Sequence, residues 1–406
     1  MNWKEYKLGD IAIIKGGKRL PKGINLIATP NVHPYIRVRD LGSKKCIELD
    51  SSYEYVDDDT QKLISNYIVN TDDIIISIVG TIGLVAIIGK TLNKANLTEN
   101  CVKIINLKYL DKDFLYYYLI SDYGKQEINK GIVGAVQAKL PIKNIQAITI
   151  KAPEIIYQKR IASILKSLDD KIENNRKINE NLEQQAQALF KSWFVDFEPF
   201  RDQPFVESEL GMIPEGWRVG TLGEIATISK KSINPANEPD KLYSHYSLPA
   251  FDDNQYPQKQ FGKDIKSNKF LFNEDSILLS KLNPTIKRVW YVDKLDDNPI
   301  CSTEFLPIET INNAFIAFVY CCIKDELYYS KLLSGVTGAT NSHQRLSPND
   351  IVNLRIPINE KSIEDFNLIV LPMLTMINAN IRDNLHLSHL RDTLLPKLMS
   401  GELKIS

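Results

Sequence analysis

Apolar residues recur at seven-residue spacing in two segments of the chain, and polar residues fill the positions between them. The first segment runs from Ile161 to Trp193, and the second repeats its pattern from Phe366 to Leu398. An average apolar period of 3.5 residues predicts coiled-coil helices, each of about 34 residues and roughly 50 Å long. The positions at this spacing are Ile161, Leu168, Asn175, Leu182 and Leu189 with Leu165, Ile172, Asn179, Ala186 and Trp193, and later Phe366, Met373, Asn380, Leu387 and Leu394 with Val370, Ile377, Asn384, Arg391 and Leu398.

Four asparagines interrupt the apolar seam near its middle. Asn175 and Asn179 lie in the first helix, and Asn380 and Asn384 lie in the second. A buried amide destabilises an apolar seam unless it finds another amide, so such residues fix helix register. Antiparallel helices would bring the four asparagines together as register residues. The alternative is two separate surface helices whose asparagines face solvent.

The sequence that precedes each helix also repeats. "WKEYKLGDIAII" (3–14) returns as "WRVGTLGEIATI" (217–228), and "DDIIIS" (72–77) returns as "DSILLS" (275–280). A looser match joins "VGAVQAKLPIKNI" (133–145) to "TGATNSHQRLSPNDI" (337–351). A period this long is typical of tandem domains and excludes a solenoid.

These patterns predict an α+β protein with a pseudo-two-fold internal repeat. Two mixed α/β domains are expected, with two long helices that pair as an antiparallel coiled coil. The apolar run at 74–88 contains two glycines and predicts two strands around a turn, and a helix is expected near 113–123. The predicted boundaries are 1–155 for the first domain, 156–198 for the first helix, 199–214 for a linker, 215–358 for the second domain and 359–406 for the second helix.

The composition and charge of the chain limit the partners and the location that the sequence predicts. The chain has 406 residues, 43% hydrophobic and 25% charged, with a formal net charge of zero. A polyanion partner must therefore be met by local basic patches. The five cysteines show no C-x-x-C spacing, which favours reduced thiols and a cytoplasmic location, and the longest apolar run is too short to span a bilayer.

Basic residues and polar loops in both domains are candidates for contacts with DNA. Two recognition domains on one rod could contact two half-sites of a duplex, since B-DNA repeats every 34–36 Å. Lysine and arginine neutralise phosphates, and arginine and amide side chains also recognise base edges. The alternative is that these residues are solvated faces and ordinary turns. The candidates are Lys15, Lys18, Arg19, Lys22, Arg37, Arg39, Gln137, Lys139, Lys281, Lys287, Arg288, Asn341, His343, Gln344 and Arg345.

Several longer motifs point to a known family. They are "LFKSWFVDFEPF" (189–200), "IPEGWRVGTLGEIATI" (213–228), "YSLPAFD" (246–252), "LLSKLNPTIKRVWYV" (278–292) and "LRDTLLPKLMSGEL" (390–403). Over essentially its whole length the chain resembles the DNA specificity subunits of type I restriction-modification systems. The resemblance implies two target recognition domains joined by conserved helices. It also implies two adenine-methylating methyltransferase subunits as partners, and ATP-dependent restriction subunits in the full complex.

The sequence lacks complete motifs for nucleotide binding or methyl transfer. The segment "GLVAIIGKT" (83–91) departs from a phosphate-binding loop, because five residues separate its glycines where the motif needs four. No Asn/Asp-Pro-Pro-aromatic methyltransferase motif occurs. We therefore expect no catalytic, metal or cofactor site in this chain. The resemblance implies S-adenosylmethionine, ATP and Mg for the partner subunits only.

Two other classes of protein stay open at this point. An autonomous DNA-modifying enzyme would show activity as an isolated chain, although the missing motifs argue against it. A coiled-coil scaffold without a DNA role would show no salt-dependent DNA binding, although the family motifs argue against it.

Overall fold

The computed structural model describes residues 2–42, 44–335 and 344–403. The chain divides into two compact units. The first unit comprises Met1–Lys171 and Leu387–Ser406, and the second comprises Ile172–His386. Each of the two longest helices therefore contributes residues to both units.

The described part of residues 1–171 contains ten strands and six α-helices, the last of which continues into the second unit. Its strands are β1 (Lys4–Lys7), β2 (Ile13–Gly16), β3 (Pro34–Ile36), β4 (Cys46–Ile47), β5 (Glu54–Tyr55), β6 (Ile74–Ser77), β7 (Val85–Ile88), β8 (Asn96–Leu97), β9 (Cys101–Ile105) and β10 (Thr149–Ala152). Its helices are α1 (Leu8–Ile11), α2 (Asp58–Ile64), α3 (Lys112–Ile120), α4 (Asp122–Gly131), α5 (Ile142–Gln146) and α6 (Ile155–Phe194).

The main sheet of the first unit has the strand order β2-β9-β6-β7-β4. Its central strand β6 is buried on both faces, which suits its run of β-branched isoleucines. Strands β6 and β7 pair antiparallel, and Gly80 and Gly83 between them have φ angles of 79° and 87°. Positive φ favours glycine, so the predicted pair of strands around a glycine turn is confirmed.

Two short helices pack beside this sheet where one was expected at 113–123. Helix α3 ends at Ile120 because Ser121 adopts an extended backbone with ψ 165°. The Ser121 hydroxyl then accepts a hydrogen bond from the Gly124 amide and caps α4. The serine divides the predicted helix into two, and the buried residues of α3, including Phe114 and Tyr117, face the core.

The second unit repeats the order of strands and helices. Its strands are β11 (Phe205–Ser208), β12 (Gly211–Pro214), β13 (Arg218–Thr221), β14 (Ala226–Ile228), β15 (Ser232–Ile233), β16 (Leu242–Tyr246), β17 (Gln258–Phe261), β18 (Lys269–Phe270), β19 (Ser276–Ser280), β20 (Val289–Val292), β21 (Pro299–Ser302), β22 (Phe305–Thr310) and β23 (Arg355–Ile358). Its helices are α7 (Leu248–Asn254), α8 (Ile316–Lys324), α9 (Glu326–Ser334), α10 (Pro348–Val352) and α11 (Glu360–Ser400), which continues into the first unit.

The sheets of the two units confirm the internal repeat. The order β14-β22-β19-β20 reproduces β2-β9-β6-β7, and the separate pair β13-β23 reproduces β1-β10. In each unit two consecutive helices follow the long strand of the main sheet, α3 and α4 in the first and α8 and α9 in the second. The segment predicted to be a linker, 199–214, holds the hairpin of β11 and β12.

Aromatic side chains at the end of α6 form the centre of the second unit's core. Phe194 is buried and lies 4.7 Å from Phe318 of α8 and 5.1 Å from Phe366 of α11, measured between ring centroids. Trp217 also contacts Phe194, at 5.7 Å. Such aromatic packing stabilises a core beyond the area it buries. The motif "LFKSWFVDFEPF" is therefore the contact between the first long helix and the second domain.

Helices α6 and α11 run antiparallel. In the second unit, the Asn175 amide nitrogen donates to the Asn384 oxygen at 2.9 Å, and Asn380 donates to Asn179 at 2.8 Å. Higher numbers in one helix thus meet lower numbers in the other. The predicted α+β fold with an antiparallel helix pair is confirmed, and the four asparagines form two neighbouring layers of its seam.

The same direction of pairing holds in the first unit. Arg391 of α11 donates to Asp169 of α6 at 2.9 Å, and Asp169 also accepts a hydrogen bond from Tyr117 at 2.5 Å. Burial and the neighbouring carboxylate raise the pKa of Tyr117 far above its usual range, so it stays protonated and can donate. No helix in the described part of the chain combines the length and apolar character needed to cross a membrane.

The asparagine layers generate a stability prediction. Asn175 is 0% exposed, so Asn175→Ala removes its hydrogen bonds and leaves the Asn384 oxygen without that donor. We expect the free energy of unfolding to fall by about 1–3 kcal/mol. Replacing Asn175 and Asn384 together with leucine should cost less, because no amide is then stranded in the seam and only the half-buried Asp383 loses a donor.

Asn181 provides the control on the same helix, since it is exposed and contacts only its neighbour Gln185 among the hydrogen bonds of the described residues. Asn181→Ala should change stability by no more than about 0.5 kcal/mol. Chemical denaturation of the purified chain measures all three variants. Equal losses for Asn175→Ala and Asn181→Ala would refute a special role for the buried layer.

Candidate nucleic-acid interface

The end of the central strand β6 is held by two neighbouring segments in the first unit. The amide of Ile78, directly after β6, donates to the carbonyl oxygen of Asn100 at 2.8 Å. The Ile78 carbonyl accepts from the amide of Leu140 at 2.9 Å, and Leu140 is buried. Lys139, directly before Leu140, is exposed and bridges to Val79. We name Ile78, Asn100 and Lys139 the first strand-end site.

The end of β19 is held in the same way in the second unit. The amide of Lys281, directly after β19, donates to the carbonyl oxygen of Glu304 at 2.9 Å. The Lys281 carbonyl accepts from the amide of Leu346 at 2.9 Å, and Leu346 is buried. Arg345, directly before Leu346, is exposed and bridges to Leu282. We name Lys281, Glu304 and Arg345 the second strand-end site.

Matching hydrogen bonds make the two strand-end sites structurally equivalent. Lys139 corresponds to Arg345, and both were predicted to contact DNA. Asn100 corresponds to Glu304, and neither was predicted. Their positions in the sequence could have identified them. Asn100 lies directly before β9, which pairs with β6, and Glu304 lies directly before β22, which pairs with β19. The backbone frame is therefore repeated while the side chains differ.

Two arginines near the end of β19, Arg345 and Arg288, form hydrogen bonds with carboxylates. Arg345 donates through Nε and Nη2 to Glu304, at 3.3 and 3.1 Å. Arg288 donates through the same two atoms to Asp252, at 2.6 and 2.8 Å, and its carbonyl accepts from the Ser280 amide at the end of β19. The hydrogen bond to Asp252 raises the pKa of Arg288, which therefore stays charged.

Other predicted residues of the second unit have different surroundings. Lys287 donates to the Lys324 carbonyl and to the Glu326 carboxylate, each at 2.8 Å, and its Nζ lies 4.7 Å from the centre of the Tyr329 ring. Gln344 is half-buried, and its carbonyl accepts from the Asn283 amide. Asn341 and His343 lie outside the described residues.

Three predicted arginines of the first unit line one groove. The groove has a volume of about 380 Å³ and is lined by Arg19, Leu20, Leu26, Tyr35, Arg37, Val38, Arg39, Thr98, Glu99 and Asn100. Asn100 thereby connects the groove to the first strand-end site. Arg19 pairs with Glu99 at 2.7 Å, while Arg39 pairs with Glu54 at 2.9 Å.

A carboxyl group directly after the groove residue Arg39 in the sequence has an unusual pKa. The side chain of Asp40 is only 3% exposed, and its carboxylate accepts a hydrogen bond from the Arg37 amide at 2.6 Å. Burial raises the pKa of Asp40 to about 6, although neighbouring Arg39 opposes the shift. Arg37 also forms an ion pair with Glu54. Acidic groups thus hold the arginine side chains at defined positions.

The remaining predicted residues of the first unit lie on its surface. Lys15 is exposed on β2, and the Lys18 Nζ lies 5.4 Å from the centre of the Tyr67 ring. Lys22 and Gln137 are exposed and outside regular secondary structure. These four residues do not line the groove of the first unit. The three lysines among them are surface cations, which suit phosphate contacts better than base contacts.

Known proteins share features of this sequence and this fold. The sequence profile of the type I restriction modification DNA specificity domain matches residues 1–184. The MjaIX specificity subunit of a type I restriction enzyme from Methanocaldococcus jannaschii is 27% identical over 422 residues, which cover 100% of this chain and 94% of that protein. The HindI specificity subunit from Haemophilus influenzae is 32% identical over 206 residues, 49% of this chain and 42% of that protein.

Over its whole length the chain is similar to the DNA specificity subunits of type I restriction-modification systems. The crystal structure of the S subunit from M. genitalium shares its fold, with a TM-score of 0.59 at 17% identity over 98% of this chain and 96% of that one. These similarities confirm the predicted resemblance. They also support the predictions that the chain serves DNA sequence recognition in a type I system and is not its catalytic subunit.

Arginines paired with acids and lysines exposed on the surface are expected to contact different parts of DNA, which gives a prediction for this chain. Arg345→Ala should reduce base discrimination only in the DNA sequence recognised by the second unit, by about 1–3 kcal/mol for a lost bidentate contact. Lys22→Ala should instead weaken binding to all sequences and lower the slope of affinity against salt by about one unit. Titration of base-substituted duplexes at several salt concentrations separates the two effects. Unchanged discrimination in Arg345→Ala would remove this residue from the recognition surface.

Proposed function

We propose that this specificity subunit recognises a bipartite DNA target, with one half-site for each unit. The observation that carries the proposal is the pair of strand-end sites. Their backbone frames are equivalent, but one presents Lys139 with Asn100 and the other presents Arg345 with Glu304. Lysine, arginine, asparagine and glutamate favour different base edges in the major groove. Two copies of one frame with different side chains suit two half-sites of different sequence.

The helix pair is proposed to set the distance between the half-sites. Helix α6 has 40 residues and α11 has 41, and each contributes to both units. Paired helices resist bending and sliding better than a flexible linker of the same length, and the asparagine layers favour one register. The spacer in the DNA target should therefore depend on helix length and not on the identity of either recognition domain.

Catalysis is proposed to come from partner chains. An internal two-fold repeat presents related surfaces twice, so one partner can bind in two copies. We assign these copies to two methyltransferase subunits that methylate adenine with S-adenosylmethionine, and the full complex to additional restriction subunits that use ATP and Mg. The relatives' names, which describe specificity subunits of type I restriction enzymes, support this assignment.

Lengthening the helix pair tests the proposed spacing. One heptad is inserted between Arg176 and Lys177 and another between Arg382 and Asp383, so that Asn175 keeps both Asp383 and Asn384 as acceptors. Because the helices are antiparallel, both insertions fall between the two asparagine layers, and each asparagine keeps its partner. Seven residues add roughly 10 Å. The preferred spacer should grow by up to about three base pairs at 3.4 Å each, while both half-sites keep their sequences.

Methylation-site sequencing in cells that contain the lengthened chain and its methyltransferase partner measures the spacer. Insertion into α6 alone is the matched control. It shifts the two helices so that both asparagine layers cannot form together. It should therefore lower the unfolding temperature without giving a new defined spacer. A stable lengthened protein that keeps the original spacer would show that another feature sets the separation.

A further inference from the structure

The backbone around Glu304 and Arg345 is held firmly at the end of β19. The Glu304 amide donates to the Ser302 hydroxyl at 3.2 Å, and its carbonyl accepts from Lys281 at 2.9 Å. Arg345 bridges to Leu282 and precedes the buried Leu346. Both side chains therefore start from fixed backbone positions. Such preorganisation is what discrimination between bases requires.

The contact between the two side chains leaves a defined set of groups facing solvent. Arg345 uses its Nε and one Nη2 hydrogen toward Glu304. Among the described residues no other acceptor binds Nη1 or the second Nη2 hydrogen, so these can donate to a ligand. The Arg345 side chain is 48% exposed and that of Glu304 is 28% exposed. The carboxylate also retains lone pairs as acceptors. Donors and an acceptor thus lie side by side on an accessible surface.

This arrangement complements one class of base pair. Guanine presents O6 and N7 as acceptors in the major groove, and its partner cytosine presents the N4 amino group as a donor. Arginine favours the guanine edge and glutamate accepts from cytosine N4. We infer that Arg345 and Glu304 act together to recognise a G·C base pair in the half-site of the second unit. The inference rests on the proposed bipartite recognition.

The first strand-end site supports the assignment by contrast. There Lys139 and Asn100 occupy the equivalent positions on the same backbone frame. The two equivalent positions of the first site hold neither an arginine nor an acid, so the side-chain pair that suits G·C belongs to the second site. Glu304 is a positioning residue for the guanidinium and a direct acceptor for the base, while an exposed ion pair by itself contributes little to folding stability.

Glu304→Gln tests the inference because it removes the charge and keeps the size of the side chain. The matched control is Glu209→Gln. Glu209 pairs with Arg355 of β23, through an Nε contact of 2.7 Å, and both side chains are about half exposed at 50% and 45%. Strand β23 belongs to a different sheet from β19. Wild type, Glu304→Gln, Arg345→Ala and Glu209→Gln are each expressed with the methyltransferase partner, and methylated sites are sequenced.

We expect the wild-type motif to contain a G·C pair in the second half-site. At that position, preference for G·C over the other base pairs should fall at least about tenfold in Glu304→Gln and in Arg345→Ala. The first half-site should be unchanged in both, and Glu209→Gln should match wild type throughout. Equal unfolding temperatures for the four proteins would show that the change lies in recognition and not in folding.

Several results would overturn the inference and leave bipartite recognition intact. They are a second half-site without a G·C pair, an unchanged second half-site in Glu304→Gln, effects of the two variants at different base pairs, or an equal effect of Glu209→Gln. A wild-type protein that directs methylation to a continuous target would instead refute the proposed bipartite recognition, and the inference with it.

Discussion

The rest of this structure depends on amide pairs buried in an apolar helix seam. Asn175 and Asn179 would destabilise the seam alone, and each forms a hydrogen bond with an asparagine of the opposite helix. Leucine seams tolerate sliding by a heptad and either direction of pairing, because apolar contacts are not directional. A stranded amide makes every other register unfavourable. The direction and register of the long helices therefore follow from four polar side chains.

A second constraint operates within each unit, at the end of the central strand. Backbone hydrogen bonds from two neighbouring segments hold Ile78 in the first unit and Lys281 in the second. Backbone bonds do not depend on side-chain identity, so the residues that project from these segments can differ without altering the frame. Lys139 and Arg345 show such a difference at equivalent positions. Recognition can then change while the fold is retained, which separates specificity from stability.

Periodic features of this fold were predictable from the sequence, and features that depend on tertiary contacts were not. Heptads revealed α6 and α11, and the isoleucine run revealed β6 and β7, because apolar spacing reports burial directly. The division of a helix at Ser121 depends on one cap, and the partners of Arg345 depend on the strand order of a sheet. Charge clusters pointed to the arginines of the site. Glu304 and Asn100 were missed because an acid or a lone amide beside a strand carries no electrostatic signal for DNA.

Several of the candidate arginines are paired with acids, in keeping with a chain of zero net charge. Arg19, Arg39, Arg288 and Arg345 each contact an acid, and Glu99, Glu54 and Glu304 are less exposed than the arginines they hold. A phosphate must compete with such an acid for the guanidinium, so the sequence-independent part of DNA affinity is reduced. A base edge can use the donors that the acid leaves free. Because specificity is the difference between correct and incorrect binding, weakening the phosphate contribution increases the share carried by bases.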